Sequence, residues 1–518
     1  MPQPRAKTKT VTEFGDFQTP QTLAFQVTEK LHELGIRPHS ILEPTCGKGA
    51  FVSAAAKTFS QAETIIGIEI NPYYIKDTIT ALHAHSGTQD IRLECGDFFA
   101  VQWTNILSKH NGPWLILGNP PWVTSSSLSA LDSSNLPVKC NFHGRAGIEA
   151  VTGKSNFDIS EWMLLRYLDW LQGVGAIAVL CKTSVARKIL LHAWKQAGVS
   201  AARIYKIDAM AHFGAAVDAC LFVLRLESGA NCTACDIFDS LDDALPSSNL
   251  SYFNGHLVTN ASLPHLDALW GPETHYTWRS GIKHDCSRVM ELFLVPGGHT
   301  NGLGEKVEIE ETFLYPMLKG SDIGNGRILP RAKMLVTQEA VGQQTSGIAL
   351  AAPKTWEYLT RHQNLFNNRG SVIYRNKPDY SIFGIGPYTF APWKLAVSSL
   401  YKKLLFVSVG PVDGRSVVFD DTVYFLPCWS EREAQFLEEI LHSDSAAQFF
   451  NSMVHWTDKR PLTVDLLKRL SIKKLATALG RYAEYAEFTK MDAVQGEFLF
   501  ASMHATPFEQ SHGEYCEA

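Results

Sequence analysis

The apolar run Trp114-Leu115-Ile116-Leu117-Gly118 stops at Asn119-Pro120-Pro121-Trp122, and this junction constrains the fold more than any other feature of the chain. The run reads as a buried parallel strand. Two successive prolines lock φ and carry no N–H, so the strand ends in a short, stiff turn whose carbonyls stay free to accept. At the carboxyl edge of a parallel sheet, such a turn presents an amide and an aromatic ring to a ligand crevice.

The residue types suit one chemical problem. An exocyclic amine on adenine or cytosine is a poor nucleophile because its lone pair is delocalised into the ring. A catalyst must draw that nitrogen toward a tetrahedral shape. The Asn119 amide oxygen and the Pro120 carbonyl can take the two N–H donors while Trp122 stacks on the base. Pro121 stiffens the turn. Alone, the tetrapeptide reads equally as a strand ending in a proline turn.

Three more strand ends supply context. Ser40-Ile41-Leu42-Glu43-Pro44-Thr45-Cys46-Gly47-Lys48-Gly49 reads as a strand, a glycine turn and then a helix from Val52 to Lys57, with Gly47 and Gly49 leaving room for a ligand at the helix N-terminus. Thr64 to Ile70 forms a second strand ending in Glu69, a carboxylate able to chelate ribose hydroxyls, 26 residues after Glu43 as one βαβ unit requires. Ile91 to Cys95 leads to Gly96-Asp97-Phe98-Phe99, where Asp97 can accept from a cofactor adenine and Phe98 can pack on its ring. Taken singly, these acids also read as solvated loop residues or helix caps. Together, the strand ends build one crevice.

On these residues the chain resembles the gamma-class S-adenosylmethionine-dependent DNA N6-adenine methyltransferases of restriction-modification systems. Phe17-Gln18-Thr19-Pro20 resembles the amino-terminal cofactor motif, and Glu43 to Gly49 the first sheet motif. Glu69 resembles the ribose-binding acid, and Asp97-Phe98 the adenine contact. Asn119 to Trp122 resembles the catalytic motif, with Trp where Tyr or Phe is usual. Ser155-Asn156-Phe157-Asp158, before the amphipathic run Trp162 to Leu171, resembles the next motif. Phe213, in Ala211 to Leu224, resembles a second aromatic face for the target base, and reads equally as a core phenylalanine. The resemblance implies S-adenosylmethionine as cofactor, with contacts from Thr19, Glu43, Pro44, Gly47, Gly49, Glu69, Asp97 and Phe98. It also implies a doubly wound, Rossmann-like class I methyltransferase domain of the α/β class, an α+β target-recognition domain, and base flipping from duplex DNA.

At 518 residues the chain is long enough for two domains. The reading is a catalytic domain over 1–228, a connecting segment rich in Ser, Asn, Asp and Pro over 229–275, a recognition domain over 276–490 and a tail over 491–518. In the recognition domain, Met334 to Thr337 and Leu404 to Val409 read as strands, and Glu431 to Leu441 and Lys473 to Phe488 as helices. No apolar stretch has the length of a membrane helix, and Met1 to Lys9 lacks the apolar core of a signal peptide, so a cytoplasmic location is expected. The ten cysteines are scattered, and the single C-x-x-C pair, Cys232 and Cys235, has no second pair at metal spacing, so no metal is expected.

The net charge is −5, so a DNA partner needs a local basic surface. Candidates are Arg279, Lys283, Lys319, Lys394, Lys402, Lys403, Arg415, Lys459 and Arg460, interleaved with Trp278, Tyr374, Tyr388, Trp393 and Tyr401. Each also reads as an ordinary surface charge or core ring. The polar stretch between Trp122 and Asn156 is expected to touch DNA near the flipped base. N4-cytosine methylation, methylation of RNA or of a protein glutamine, and a non-catalytic DNA-binding module are the rival readings. No nuclease signature is evident, which points to a separate endonuclease partner.

Overall fold

In the computed structural model, strands β1 (Ser40–Glu43), β2 (Thr64–Glu69), β4 (Trp114–Gly118) and β5 (Gly175–Lys182) are buried along almost their whole length, as near-continuous apolar runs require when helices cover both faces of a sheet. The structure describes residues 17–82, 87–123, 158–196, 198–259, 263–456, 458 and 460–490. These divide into two compact units, Met1–Asn260 and Ala261–Ala518.

The first unit is a ten-stranded sheet in the order β10-β9-β8-β6-β7-β5-β4-β1-β2-β3. Its remaining strands are β3 (Asp90–Cys95), β6 (Val199–Ile207), β7 (Ala219–Leu226), β8 (Ala234–Phe238), β9 (Ser248–Phe253) and β10 (His256–Thr259). Strands β1 to β5 pair in parallel, and β7 runs antiparallel between β5 and β6. The strand order reverses between β1 and β4, so the chain leaves these neighbouring strands in opposite directions and a crevice opens at their carboxyl ends.

Strand periodicity assigns the two faces. Ile41, Ile65 and Leu115 join one core with Leu23 of α1 (Gln21–Glu33) and Phe51 of α2 (Ala50–Thr58). Leu42, Ile66 and Ile116 join the other, with Met163 and Tyr167 of α5 (Ile159–Leu171) and Ile189 of α6 (Thr183–Gln196). Helices α3 (Pro72–Leu82), α4 (Trp103–Leu107) and α7 (Ala209–Phe213) complete the unit. It is the expected doubly wound α/β architecture.

The expected connection over 229–275 is not irregular. Its β8, β9 and β10 extend the first sheet, and helix Leu263–Leu269 falls in the second unit. Polar composition concealed these strands because β9 and β10 are only partly covered, with Leu250 and Val258 the buried positions.

The second unit holds two sheets. One has the order β14-β13-β12-β16-β15-β19, formed by β12 (Glu291–Val295), β13 (Gly298–Thr300), β14 (Lys306–Val307), β15 (Leu314–Leu318), β16 (Ala332–Leu335) and β19 (Val418–Phe419). The other has the order β11-β20-β17-β18, formed by β11 (Arg279–Ser280), β17 (Trp393–Ser398), β18 (Phe406–Val409) and β20 (Val423–Cys428). Helix Glu431–Leu441 lies where the periodicity places it. The single helix expected from Lys473 to Phe488 is instead two, Ile472–Ala478 and 482–490, separated at Gly480, whose φ of +71° no helix accommodates. Among the described residues, no helix is long and apolar enough to cross a membrane.

Lys394 departs from its expected place on the surface. It lies on β17, between β18 and β20, at 1% exposure, with Nζ donating to the Ala391 carbonyl at 2.7 Å. Burial lowers its pKa from 10.5 to about 7. The unfolded chain therefore holds the extra proton between about pH 7 and 10.5, so this side chain's contribution to stability improves as pH rises through that window. Lys394→Met should stabilise the protein, most strongly below pH 7 and least near pH 10, as measured by urea denaturation at several pH values.

Candidate active site

The carboxyl ends of β1 to β4 surround a cavity of about 340 Å³, within the range of small-molecule sites. After β1, Glu43, Pro44, Thr45, Cys46 and Gly47 form one wall. Glu69, Asn71 and Tyr74 follow β2, Gly96 to Phe99 follow β3, and Asn119 and Pro121 follow β4. Phe17, Gln18 and Thr19 close one side, and Ile159 and Met163 of α5 another.

The glycine turn depends on two left-handed residues. Gly47 has φ +52°, and a Cβ there would meet the Gln18 side chain; Gly49 has φ +71°, and a Cβ there would collide with Thr78. Gly49 sits behind the turn as the residue before α2, outside the cavity lining, so its contribution is the bend itself. Gln18 Oε1 accepts from the Lys48 N–H at 2.9 Å.

The carboxylates have different duties. Glu69 Oε2 accepts from Gly47 N–H at 2.8 Å and its Oε1 from Asn71 N–H at 2.9 Å, so one side chain ties the glycine turn to the end of β2. Glu43 is buried, with Oε2 accepting from Val52 N–H at 3.0 Å. Burial pushes its carboxyl well above the ordinary range, the Val52 bond opposes this, and nearby Glu69 adds to it. Asp97 Oδ1 accepts from Phe99 N–H at 2.9 Å. Phe98 lines the cavity from an aromatic group, with ring centroids 5.0 Å from Trp103 and 5.8 Å from Trp170.

Asn119 is held by its nitrogen. Nδ2 donates to the Phe17 carbonyl at 3.1 Å and to Thr19 Oγ1 at 3.3 Å. A backbone carbonyl only accepts, so the amide cannot flip without losing that bond. Oδ1 is left buried, with no hydrogen-bond partner among the described residues. Thr19, expected at the cofactor, thus has a second role as an orienter of Asn119.

The rings stand differently from expectation. Trp122 is buried behind the cavity wall, with Nε1–H donating to the Leu180 carbonyl at 3.2 Å and its ring 5.1 Å from that of Phe213. A buried indole N–H needs an acceptor, and β5 supplies it. Phe17 packs on both rings, at 5.8 Å from Trp122 and 6.3 Å from Phe213, and it is Phe17 that lines the cavity. Pro120 is buried beneath the turn.

Sequence reasoning missed Asn71, Tyr74, Ile159 and Met163. The Asn71-Pro72 pair carried a legible signal, since Asn71 Oδ1 accepts from Tyr73 N–H at the start of α3. Lys182 carried none. Its Nζ reaches the Trp122 carbonyl at 3.2 Å and the Asp158 carboxylate. The polar stretch after Trp122 falls in 124–157, outside the described residues.

In the second unit most of the expected basic residues are engaged internally. Arg415 Nη1 donates to the carbonyls of Glu311 and Leu314 at 2.7 Å each, fastening β15. Lys319 pairs with the buried Glu291. Lys283 pairs with Asp285 at 3.0 Å, and Arg460 faces Asp421 at 3.6 Å. Arg279 lies 4.5 Å over the Tyr388 ring. Lys402 and Lys403 are exposed between β17 and β18, and Lys459 is outside the described residues. Lys394 and Lys319 are engaged by buried acceptors and Arg415 by backbone carbonyls around the start of β15, so the fold itself uses these three cations.

No protein-family profile matches the chain. It is 44% identical over 476 residues to the type II methyltransferase M.NspV of Nostoc sp., covering 91% of this chain and 98% of that protein. It is 33% identical over 126 residues to the type II methyltransferase M.CvrRI of Paramecium bursaria Chlorella virus XZ-6E, covering 24% of this chain and 28% of that one. Among solved structures, the type IIL restriction-modification enzyme MmeI in complex with DNA shares the fold with a TM-score of 0.57 at 11% identity, covering 90% of this chain and 69% of that one.

The carboxylate bridge at the glycine turn is testable without any ligand. Glu69→Ala removes the acceptor of two backbone N–H groups and should lower the unfolding free energy by about 1–2 kcal/mol in urea denaturation. An unchanged midpoint would mean that water replaces the carboxylate.

Proposed function

This chain belongs to the type II methyltransferases of restriction-modification systems, and from that premise we propose that it methylates N6 of adenine in duplex DNA, with S-adenosylmethionine as donor. The observation that carries the reading is the buried Asn119 oxygen, which has no hydrogen-bond partner among the described residues, on a residue that lines the cavity at the four strand ends.

The cavity fits the donor. Glu69 is the carboxylate read as facing the ribose hydroxyls, Asp97 and Phe98 offer an acceptor and an aromatic ring for an adenine, and a side chain at Gly47 would meet Gln18 of the same lining. The bound donor supplies an electrophilic methyl on a sulfonium centre.

The chain's own residues prepare the nucleophile. Asn119 Oδ1 accepts one N–H of the target amine and the Pro120 carbonyl the other, which draws the nitrogen toward a tetrahedral shape and frees its lone pair. Phe17 gives the flipped base an aromatic face, with Trp122 and Phe213 packed behind it. No strong base is needed, because the methylated amine is acidic enough to lose its proton to water. Exposed Lys402 and Lys403, with Arg279, Lys283 and Arg460, are the basic groups proposed to meet phosphate.

Asn119→Ala should slow methyl transfer at least about 100-fold while donor affinity in calorimetry stays within a few-fold. Retained turnover would remove the central argument. Nucleoside analysis of methylated DNA should yield N6-methyladenine; N4-methylcytosine would keep the amine chemistry and change the base.

A further inference from the structure

The Asn119 turn cannot fasten itself, since Pro120 and Pro121 have no N–H to donate. It is fastened from outside, before the prolines where Asn119 Nδ2 donates to Phe17 and Thr19, and after them at Trp122. The indole donates to Leu180 near the end of β5, and two residues on, Lys182 Nζ donates to the Trp122 carbonyl at 3.2 Å. Lys182 has a second partner in the carboxylate of Asp158, whose side chain is only 7% exposed. Asp158 is also the N-cap of α5, accepting from Ser160 N–H at 3.2 Å. Beside it, Ile159 N–H donates to the Val123 carbonyl at 2.9 Å.

One ammonium therefore joins three pieces of chain: the turn bearing Asn119, the end of β5 and the N-terminus of α5. A charge-assisted bond in a mostly buried setting is short and directional, which suits a brace better than a surface ion pair. Neither Lys182 nor Asp158 lines the cavity.

We propose that Lys182, oriented by Asp158, is a positioning residue for methyl transfer: through the Trp122 carbonyl it sets the height at which Asn119 Oδ1 meets the target amine. This rests on the reading of Asn119 as the amine's acceptor. A displacement of about 1 Å at reacting groups costs on the order of 100-fold in rate. Loss of the brace should therefore appear in the chemical step and leave donor binding nearly alone.

The test is single-turnover transfer of labelled methyl from S-adenosylmethionine to total unmodified DNA, scored without regard to which base receives it. Lys182→Met should be slower by roughly 10- to 100-fold, with donor affinity within about 3-fold of the parent enzyme. Lys182→Arg should recover part of the rate. Asp158→Asn should slow transfer as well, and the double variant Asp158→Asn/Lys182→Met should be no slower than Lys182→Met alone, as one device demands. Parental rates in Lys182→Met, or losses that merely track weaker donor binding, would overturn the proposal. If Lys182→Met does not fold, Asp158→Asn carries the test, and a parental rate there overturns it. If the parent enzyme transfers methyl to no DNA at all, the underlying reading falls and takes this proposal with it.

Discussion

The bond from the Asn119 amide nitrogen to the Phe17 carbonyl decides the character of the site. An amide has two ends, and a backbone carbonyl accepts from only one of them. With Nδ2 committed to Phe17 and Thr19, Oδ1 is left buried without a partner among the described residues. An unmatched buried acceptor costs about 1–3 kcal/mol, which is why the proposed reading of the site rests on this oxygen. The same short segment, through Gln18, holds Lys48 of the glycine turn, so the glycine turn and the Asn119 turn are set by neighbouring residues.

Two glutamates show how environment divides one chemistry. Glu43 and Glu69 end adjacent parallel strands, yet Glu43 is buried and pushed toward its neutral form, whereas Glu69 accepts from two backbone N–H groups. Hydrogen bonding to a carboxylate favours its charge, and burial opposes it. Both line the cavity, but Glu69 ties the glycine turn to the end of β2, whereas Glu43 packs against Val52 and Gly118.

The second unit carries a parallel lesson about charge. Lys394, Lys319 and Arg415 were attractive phosphate ligands as letters in a sequence, and each is consumed by the fold: by the Ala391 carbonyl, by Glu291, and by carbonyls before and within β15. Removing these three from the candidates narrows the basic groups proposed for DNA to a smaller set.

Residues that act through strand ends were legible from the sequence alone. Burial on both faces of a parallel sheet writes continuous apolar runs, and the polar residue that terminates each run lies at the carboxyl edge, so Glu43, Glu69 and Asn119 are legible in the sequence, while Asp97 follows the exposed edge strand β3 and is legible only from its Gly-Asp-Phe turn. The direction of each side chain was not legible. Trp122 turned behind the wall because its indole N–H found Leu180, and Phe17 took the cavity face. The strands over 234–259 hid in polar composition because they are only partly covered. The brace of Lys182 and Asp158 on Trp122 joins residues 24 and 60 positions apart, and no local pattern encodes a hydrogen bond that exists only once β5 and α5 have packed. Sequence determined which chemical groups stand at the site, through period and composition; tertiary packing decided which atom of each group faces it, through competition for hydrogen-bond partners.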